Sequence, residues 1–271
     1  MTPQLDILLS CMFAEPEKLV ENSKITGNCV IINQCDEKSA FDFDTKNGKA
    51  KVYSVTDRGL TKSRNLAIRK SDADICMLCD DDEVFADDYE EKILKAYEEN
   101  PQADVIIFKM INREPSFEDK VMKLKFPNTL KVASWQISFR RDSLIKTGVR
   151  FDELLGSGTG NGAEEELKFL SDCISNGLSV WYVPYEIAEV GNGEDSKWFS
   201  GFDKKFFENR GSTTRYILGF PISVVYAFYY CIKKRPMYTE NISFGSALGA
   251  TLKGIMKNRI GHERTKLLRD R

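Results

Sequence analysis

The stretch "DICMLCDDD" (Asp74–Asp82) joins a run of five apolar residues directly to three consecutive aspartates. Its apolar residues are continuous rather than alternating, which is typical of a strand covered on both faces. Similar runs in the first half are "LDILLSCMF" (5–13), "NCVIINQ" (28–34), "KVYSV" (51–55) and "DVIIF" (104–108). Helix-like polar segments separate these runs. The alternation predicts an α/β domain with a mainly parallel, twisted sheet flanked by helices.

Composition limits the classes of partner. The 39 Lys and Arg residues against 41 Asp and Glu residues give a net charge of -2. This balance offers no general attraction to nucleic acid, so we expect no nucleic-acid partner. Seven cysteines, an odd number without CxxC pairs, indicate buried thiols in a reducing cytoplasm. The N-terminus lacks the features of a signal peptide, and we expect the chain to start in the cytoplasm.

We expect two parts, a catalytic domain over residues 1–211 and a helical, aromatic and basic extension over residues 212–271. The extension begins with an apolar run, Tyr216–Ile232, which Pro221 interrupts and a basic cluster follows. Its length is near the lower limit for a membrane helix, but Pro221 and the aromatic residues favour packing or immersion at a membrane surface. The rest of the tail alternates apolar and basic residues at helical spacing, as an amphipathic membrane-facing helix does.

The three aspartates, Asp80, Asp81 and Asp82, lie where ligands bind in open parallel sheets, beyond the carboxyl end of a strand. Adjacent carboxylates repel one another unless a cation or solvent separates them. Asp80 and Asp82, two apart in an extended segment, point to the same side and are candidate ligands of Mg²⁺ or Mn²⁺. Asp81 would point away from that pair, on the side of a bound donor. The alternative is a solvated acidic loop that caps the next helix.

A basic cluster of Arg58, Lys62 and Arg64 lies around the start of a predicted helix, "GLTKSRNLAIRK" (59–70), with Thr61 as its N-cap. Cations at a helix N-terminus oppose the helix dipole, which indicates an anionic partner. They would neutralise diphosphate oxygens beside the metal. The alternative is a solvated helix end.

A second carboxylate site follows the Gly-rich loop "GSGTGNGAEEE" (156–166), at the start of another predicted helix. A reaction in which a hydroxyl attacks needs a base within hydrogen-bond reach, and a carboxylate here fits that need. The alternative is that acids are simply favoured in a first helical turn. Trp135 either stacks on a sugar or fills the core. The one histidine, His262, lies in the tail, so the predicted site holds no histidine base for a Ser or Cys nucleophile.

These motifs resemble glycosyltransferase family 2, which has the GT-A (Rossmann-like) fold, and more narrowly bacterial enzymes of capsular and exopolysaccharide synthesis. The segment "RGLTKSRNLAI" (58–68) is similar to the family's R-G-L-S-x-x-R-N helix. The segment "DICMLCDDDEVFADDY" (74–89) is similar to its strand followed by D-x-D, and residues 151–178 resemble its acceptor loop and base helix.

The resemblance implies inverting transfer of a sugar from a UDP-linked donor to a hydroxyl of a lipid-linked or growing surface glycan, with Mn²⁺ or Mg²⁺ on the diphosphate. By position it assigns the D-x-D to Asp80 and Asp82, and donor contacts to Arg58 and Arg64, joined by Lys62 and Asp81. It assigns the base or ribose contact to Asn33 or Asp36, acceptor contacts to Trp135 and Gly162, and the acidic pair to Glu165 and Glu166, with Glu166 as the base.

The sequence departs from the family pattern at two places. The ending of the first strand lacks P-x-Y-N, and "NQCDEKS" (33–39) replaces the common D-D-G-S. Many relatives carry a histidine metal ligand where Asn192 and Gly193 stand in this sequence. Either Glu194 or Asp195 replaces that histidine, or the D-x-D binds the metal without a third protein ligand. We keep Asp195 as the candidate third ligand.

Two other functions remain open from the sequence. A nucleotidyltransferase of similar topology would attack the α-phosphorus with two metals, but a Gly-rich, basic phosphate loop after the first strand is missing. A non-catalytic sugar-binding or scaffold protein with the same fold is the other alternative. Our reading is a metal-dependent glycosyltransferase in the cytoplasm, peripheral on the inner face of the membrane.

Overall fold

The computed structural model describes residues 3–161, 164–191 and 201–269. These residues form two compact units. The first comprises residues 3–151 and 166–191, and the second comprises residues 152–161, 164–165 and 201–269. The boundary expected after residue 211 falls inside a helix of the second unit. Contacts therefore group the Gly-rich loop with the C-terminal helices.

The first unit is built on a large sheet and a small one. Its strands are β1 (Leu5–Met12), β2 (Asn28–Gln34), β3 (Ser39–Asp44), β4 (Lys49–Val55), β5 (Ile75–Cys79), β6 (Glu83–Phe85), β7 (Val105–Lys109), β8 (Met122–Leu124), β9 (Ile137–Arg140), β10 (Val180–Glu186) and β11 (Ala188–Val190). Nine of them form the large sheet in the order β3-β4-β2-β1-β5-β9-β7-β10-β8. The other two, β6 and β11, pair antiparallel.

The parallel part of the large sheet is the block β4-β2-β1-β5, whose register places Leu9 beside Cys79 and Cys11 beside Asn33. Strands β7 and β10 are also parallel, whereas β3, β8 and β9 pair antiparallel with their neighbours. The predicted α/β class is confirmed. The sheet is mixed because short antiparallel strands are added to the parallel block.

The helices are divided between the two units. They are α1 (Pro16–Asn22), α2 (Leu60–Lys70), α3 (Tyr89–Glu99), α4 (Arg141–Thr147), α5 (Glu165–Ser175), α6 (Lys204–Lys233), α7 (Arg235–Tyr238), α8 (Phe244–Lys257) and α9 (Arg259–Arg269), with short 3₁₀ helices at Asn128–Lys131 and Ser134–Gln136. Helices α6 to α9 belong to the second unit.

Both faces of the large sheet are covered, as the continuous apolar runs predict. Along β1, Ile7 and Leu9 point into one buried cluster together with α3, while Leu8 points into a second cluster that includes α5. All three side chains are buried. Because successive residues of a strand face opposite sides, a strand with two covered faces needs apolar residues at every position.

Helix α2 begins two residues earlier than an N-cap at Thr61 would require, so that expectation is wrong. The helix starts at Leu60, and Gly59 precedes it with a φ of +127°. The backbone N–H of Gly59 donates to Gln34 Oε1 at 2.7 Å, which fixes the helix start against β2. Thr61 is buried inside the first turn.

In the second unit, α6 is broken at Gly219, whose φ of 74° is not helical, and Pro221 follows the break. Helices α6 and α8 approach so closely that their backbones meet at two glycines. A Cβ at Gly254 would lie 1.9 Å from the carbonyl oxygen of Glu208, and one at Gly211 would lie 2.0 Å from that of Thr251. Within the described residues, no helix combines the length and the apolar character needed to cross a bilayer.

The glycine contact predicts a position-specific cost on α8. Gly254→Ala should lower the free energy of unfolding of the second unit by at least about 2 kcal/mol, because the added methyl group clashes with backbone that cannot move away freely. Gly249→Ala on the same helix is the control, since its Cβ would meet nothing within 4 Å. It should raise stability by up to about 1 kcal/mol through helix propensity. Equal thermal unfolding of the two variants would contradict the close approach.

Candidate functional site

The candidate site lies at the edge of the large sheet where β1, β2, β4 and β5 end. Parallel strands bring their carboxyl ends to one edge, and the register places the residues after Met12, Gln34, Val55 and Cys79 there. Helix α2 starts at the same edge, after β4. The acidic triplet and the basic cluster therefore meet, as the sequence predicts.

The central contact of this edge joins Arg64 of α2 to Asp80. Arg64 Nη2 donates to Asp80 Oδ1 at 2.7 Å, and the arginine side chain is 1% exposed whereas that of Asp80 is 26% exposed. The guanidinium also lies 5.5 Å from the ring centroid of Phe151. A planar guanidinium is suited to this combination of ion pair and ring stacking. Arg64 thus holds Asp80 from the protein interior and does not present a cation at the surface.

Helix α2 carries this support further into the unit. The side-chain amide of Asn65 donates to the Phe151 carbonyl, and the Phe151 N–H donates back to Asn65 Oδ1, both at 2.9 Å. The Phe151 ring stacks on Phe169 of α5 with centroids 4.3 Å apart. The adjacent residues Arg64 and Asn65 therefore connect the acidic triplet to α5, the helix that carries Glu166.

Asp80 is held at two further points. Its Oδ2 accepts from the Ser134 hydroxyl at 3.2 Å, and its backbone N–H donates to Glu83 Oε1 at 2.7 Å. Glu83 is 1% exposed, and its Oε2 has no hydrogen-bond partner among the residues that the structure describes. Burial, with the nearby Asp80 charge, raises the pKa of Glu83 well above its usual range. The neutral, protonated form of Glu83 is therefore favoured beside Asp80.

Asp82 is exposed, and its position depends on Gly191 at the end of β11. The Gly191 N–H donates to the Asp82 carbonyl at 2.9 Å. A Cβ at Gly191 would lie 2.7 Å from Asp82 Oδ2, so a larger residue there would displace the carboxylate. Partial desolvation of the carboxylate raises the pKa of Asp82, and the charges of Asp80 and Asp81 add to the increase. A cation at this position would relieve that repulsion.

The loop after β7 fixes β11 beside Asp82. Asn112 and Val190 exchange hydrogen bonds, side-chain amide to carbonyl at 2.8 Å and N–H to Oδ1 at 3.0 Å. Arg113 Nη2 donates to the carbonyl oxygens of Val190 and Gly191. The Arg113 charge also partly offsets the rise in the pKa of Asp82.

The segments after β2 and β4 form the other side of the edge, around Arg58. Its Nη1 donates to the carbonyl oxygens of Cys35 and Thr56, each at 2.9 Å, and its Nη2 donates to Asp36 Oδ1 at 2.9 Å. The guanidinium lies 5.2 Å from the ring centroid of Phe13, which is 60% exposed. Arg58 therefore contacts the three segments that follow β1, β2 and β4 at the sheet edge.

Asn33 also braces the edge. Its side-chain amide donates to the Ala14 carbonyl at 2.9 Å, and its Oδ1 accepts from the Ala14 N–H at 3.2 Å. Asn33 is buried, whereas Asp36 is exposed. Of these two candidates for a base or ribose contact, Asp36 thus presents the more accessible side chain.

The remaining predicted residues are placed as follows. Lys62 is exposed in the first turn of α2 and Asp81 is exposed after β5. Trp135 is half-buried in the 3₁₀ helix Ser134–Gln136, where it packs against the core and also retains exposed surface. Glu165, buried, and Glu166, half-buried, are the first two residues of α5. Gly162 and Asp195 lie outside the described residues.

Glu164, which the sequence did not single out, is held in the second unit. Its backbone has a φ of 70°, unusual for a non-glycine residue. Its carboxylate forms an ion pair with Arg210 and accepts from the Tyr226 hydroxyl at 3.3 Å. The Arg210 guanidinium lies 4.1 Å from the ring centroid of Tyr230. These contacts anchor the C-terminal end of the Gly-rich loop to α6.

Four contacts of the edge could not be read from the sequence, namely those of Ser134, Gln34, Gly191 and Arg113. Each comes from a segment distant in sequence from its partner, and none belongs to a motif with recognisable spacing. The described residues contain no cluster of three or more His, Cys, Asp or Glu side chains able to hold a metal.

Comparison with known proteins agrees with this architecture. A crystal structure of S. aureus TarS 1–349 in complex with UDP-GlcNAc matches with a TM-score of 0.59 and 13% identity, over 95% of this chain and 82% of that chain. The crystal structure of S. aureus TarS 1–349 in complex with UDP matches with a TM-score of 0.57 and 14% identity, over 95% of this chain and 82% of that chain. A crystal structure of S. aureus TarS matches with a TM-score of 0.57 and 12% identity, over 95% of this chain and 50% of that chain. No curated protein matches the sequence of this chain.

The mixed sheet with carboxylates at the edge of its parallel block defines the chain as a protein of the GT-A fold. Residues 29–152 match the sequence model of the family described as glycosyl transferase family 2. This match covers a little under half of the chain, and over those residues it confirms the resemblance to glycosyltransferase family 2 seen in the sequence. The match spans β2 to Asp152 and so includes Arg58, Arg64 and all three aspartates.

The contact between Arg64 and Asp80 predicts a measurable coupling. Arg64→Met should lower the free energy of unfolding by about 2–3 kcal/mol, less than for a fully buried pair because Asp80 is partly exposed. With Asp80→Asn, the double-mutant cycle should give a coupling energy of about 1–2 kcal/mol in urea unfolding. The matched control is the exposed pair Lys146 and Asp142, whose coupling should stay below about 0.5 kcal/mol. Equal couplings would contradict the structural role of Arg64.

Proposed function

We propose that this chain transfers a sugar from a UDP-linked donor to a hydroxyl of a glycan acceptor, with inversion at the anomeric carbon. The observation that carries the proposal is the position of Asp80 and Asp82 at the carboxyl edge of the parallel block, next to the start of α2. The fold is shared with TarS, which has been crystallised with UDP-GlcNAc and with UDP. This supports a uridine diphosphate donor for the present chain.

The donor would lie across the ends of β1, β2, β4 and β5. Its nucleoside part would lie beside the Arg58-braced connections, with Asp36 as the contact to the base or ribose. Its diphosphate would lie at the start of α2, where the helix dipole and the exposed Lys62 favour negative charge. Arg64 and Asn33 would act by positioning their neighbours, since their polar groups are engaged inside the protein.

The residues at the edge fit a divalent metal, with Asp80 and Asp82 as ligands. Desolvation and the neighbouring carboxylate charges raise the pKa of Asp82, and a hard cation such as Mg²⁺ or Mn²⁺ would relieve this repulsion. Because the described residues hold no group of three His, Cys, Asp or Glu side chains able to bind a metal, diphosphate oxygens and water would complete the shell, as is usual for Mg²⁺. When bound, the ion would neutralise charge that develops on the departing diphosphate.

In the proposed reaction, the acceptor hydroxyl oxygen forms a bond to the anomeric carbon while the bond from that carbon to the diphosphate oxygen breaks. The hydroxyl proton passes to a carboxylate, for which Glu166 is our candidate and Glu165 the neighbouring alternative. UDP leaves with the bonding electron pair. Lys62 would then face the additional negative charge on UDP.

The acceptor is proposed to be a lipid-linked or growing surface glycan. Trp135 retains exposed surface beside Ser134, the residue that contacts Asp80. An aromatic face next to a donor site is suited to stacking on a sugar ring. Trp135 packs partly on the core, and its exposed part would stack on a sugar ring of the acceptor.

The metal and base assignments are separated by one experiment. Asp82→Asn should weaken Mn²⁺-dependent binding of UDP-GlcNAc, measured by calorimetry, by at least about tenfold. It should not lower the melting temperature, because it removes a carboxylate whose raised pKa marks an unfavourable charge at neutral pH. Glu166→Gln should spare donor binding and reduce transfer by about 10²–10⁴-fold.

Asp87→Asn provides the matched control. This exposed aspartate lies a few residues further along the chain and pairs only loosely with Lys24. Its neutralisation should leave the affinity for UDP-GlcNAc unchanged. If Asp82→Asn and Asp87→Asn bind UDP-GlcNAc equally well in Mn²⁺, Asp82 is not a metal ligand.

The thiol of Cys35 reports nucleotide binding at the same edge. Cys35 is half-buried beside Arg58, whereas the other six cysteines are buried, and burial raises the pKa of Cys11 and of Cys29 to about 12. A thiol reagent at mildly alkaline pH should therefore modify one cysteine rapidly, and Cys35→Ser should remove that reaction. Saturating UDP should slow the labelling several-fold. Unchanged labelling in the presence of bound UDP would place the nucleotide elsewhere.

A further inference from the structure

The second half of α6 exposes an unusual apolar surface. After the break at Gly219, large apolar side chains line the solvent side of the helix. They form what we call the outer α6 face, consisting of Phe220, Ile222, Val225, Phe228, Tyr229 and Ile232, each between 43% and 71% exposed. The spacing of Ile222, Val225, Tyr229 and Ile232 follows one side of an α-helix. A continuous exposed apolar stripe of this kind marks an interaction surface.

The opposite side of the same helix is covered by other parts of the second unit. Ala227, Tyr230 and Cys231 are buried in a cluster with Phe207 of the first half of α6 and Ala247 of α8. The helix is thus apolar on both sides, although only one side is covered. In a soluble protein a helix with this pattern is normally surrounded, so the outer α6 face requires a partner of its own.

The charged residues within positions 209–239, which include the outer α6 face, have one sign. No acidic residue occurs from Asn209 to Thr239. Lys233, Lys234 and Arg235 follow the stripe directly, and Lys233 Nζ donates to the Tyr229 hydroxyl at 3.0 Å. At the other end, the Arg215 guanidinium lies 5.0 Å from the ring centroid of Phe220. Cations therefore flank the apolar stripe at both ends.

The length of the segment suits a position along a surface. From residue 220 to residue 233 the helix measures about 21 Å at 1.5 Å per residue, which is shorter than the roughly 30 Å of a bilayer core. Aromatic residues and lysines are the residue types that anchor a helix at the boundary between headgroups and acyl chains.

From these observations we infer that the outer α6 face binds an anionic lipid surface. The apolar and aromatic side chains would enter the boundary region of one leaflet, and the flanking cations would contact acidic headgroups. If the chain is cytoplasmic, as the sequence leads us to expect, this surface would be the inner leaflet of the membrane. The inference is independent of the sugar-transfer reaction, because it rests on residues outside the candidate active site.

A second copy of the chain fits this face less well. Pairing of two outer α6 faces in a parallel orientation would bring the two clusters of Lys233, Lys234 and Arg235 together. An antiparallel orientation would bring each cluster beside Arg215 of the other copy. Like charges at an interface oppose association, whereas an anionic lipid surface is complementary to both ends of the stripe.

Flotation of the full-length protein with vesicles tests the inference. Binding should occur with phosphatidylcholine vesicles that contain phosphatidylglycerol, and should be much weaker with phosphatidylcholine alone. Val225→Glu with Ile232→Glu should reduce the partition coefficient by more than about tenfold, because two carboxylates would enter an apolar boundary. Replacement of Lys233, Lys234 and Arg235 by Gln should cost about fivefold per cation.

The matched control is Val121→Glu with Ile145→Glu, which makes the same chemical change at exposed apolar positions of the first unit. It should bind vesicles as the unmodified protein does. The far-UV circular dichroism spectrum and the melting temperature without vesicles should be the same in all variants, which shows that each is folded. Absence of binding to the anionic vesicles, or equal loss in the control, would overturn the inference. Sedimentation velocity could instead show a dimer of the unmodified protein that the variant Val225→Glu with Ile232→Glu does not form. That result would assign the outer α6 face to a second copy of the chain.

Discussion

The buried ion pair between Arg64 and Asp80 is the constraint on which the candidate site depends. A guanidinium that is 1% exposed must have its charge compensated, and Asp80 provides that compensation at the point where β5 ends. The Phe151 ring covers the same guanidinium and is itself stacked on Phe169 of α5. A shift of α2 would therefore disturb the acidic triplet and the anchoring of α5 together.

Asp82 is controlled by a different part of the chain. Strand β11 lies more than a hundred residues after β6, yet Gly191 sets the space available to the Asp82 carboxylate. Asn112 and Arg113 hold β11 in place from a third segment. The two proposed metal ligands are thus supported independently, Asp80 through α2 and Asp82 through β11. This arrangement maintains two like charges close together, a situation that costs folding stability and is typical of functional sites.

Much of the first unit could be predicted from the sequence because buried parallel strands leave a strong signal. The continuous apolar runs correspond to β1, β2, β4, β5 and β7, and the motif residues Arg58, Arg64 and Asp80 meet at one edge. The short antiparallel strands were not predicted. Strand β3 ("SAFDFD") is largely exposed, and β6, β8 and β11 span three residues each, so neither periodicity nor composition distinguishes them from loops.

The roles of individual side chains were harder to predict than their positions. A sequence pattern shows that Arg64 is a cation near the start of a helix, but not that α2 turns it inward to Asp80 and Phe151. The same holds for the Gly-rich loop, which reads as part of the catalytic domain. In the structure, Asp152 accepts from the Tyr216 hydroxyl at 2.5 Å, and Asn161 accepts from Arg259. Glu164 is paired with Arg210.

These contacts change how the C-terminal helices should be understood. The loop between Phe151 and α5 is held by polar side chains of α6 and α9 at its beginning, its middle and its end. If this loop binds the acceptor, as the resemblance to family 2 implies, the conformation of the acceptor site depends on the helices that carry the outer α6 face. A lipid surface bound to that face would then act on the same unit that positions the loop, so that membrane binding and acceptor binding would involve one folded unit rather than two separate regions.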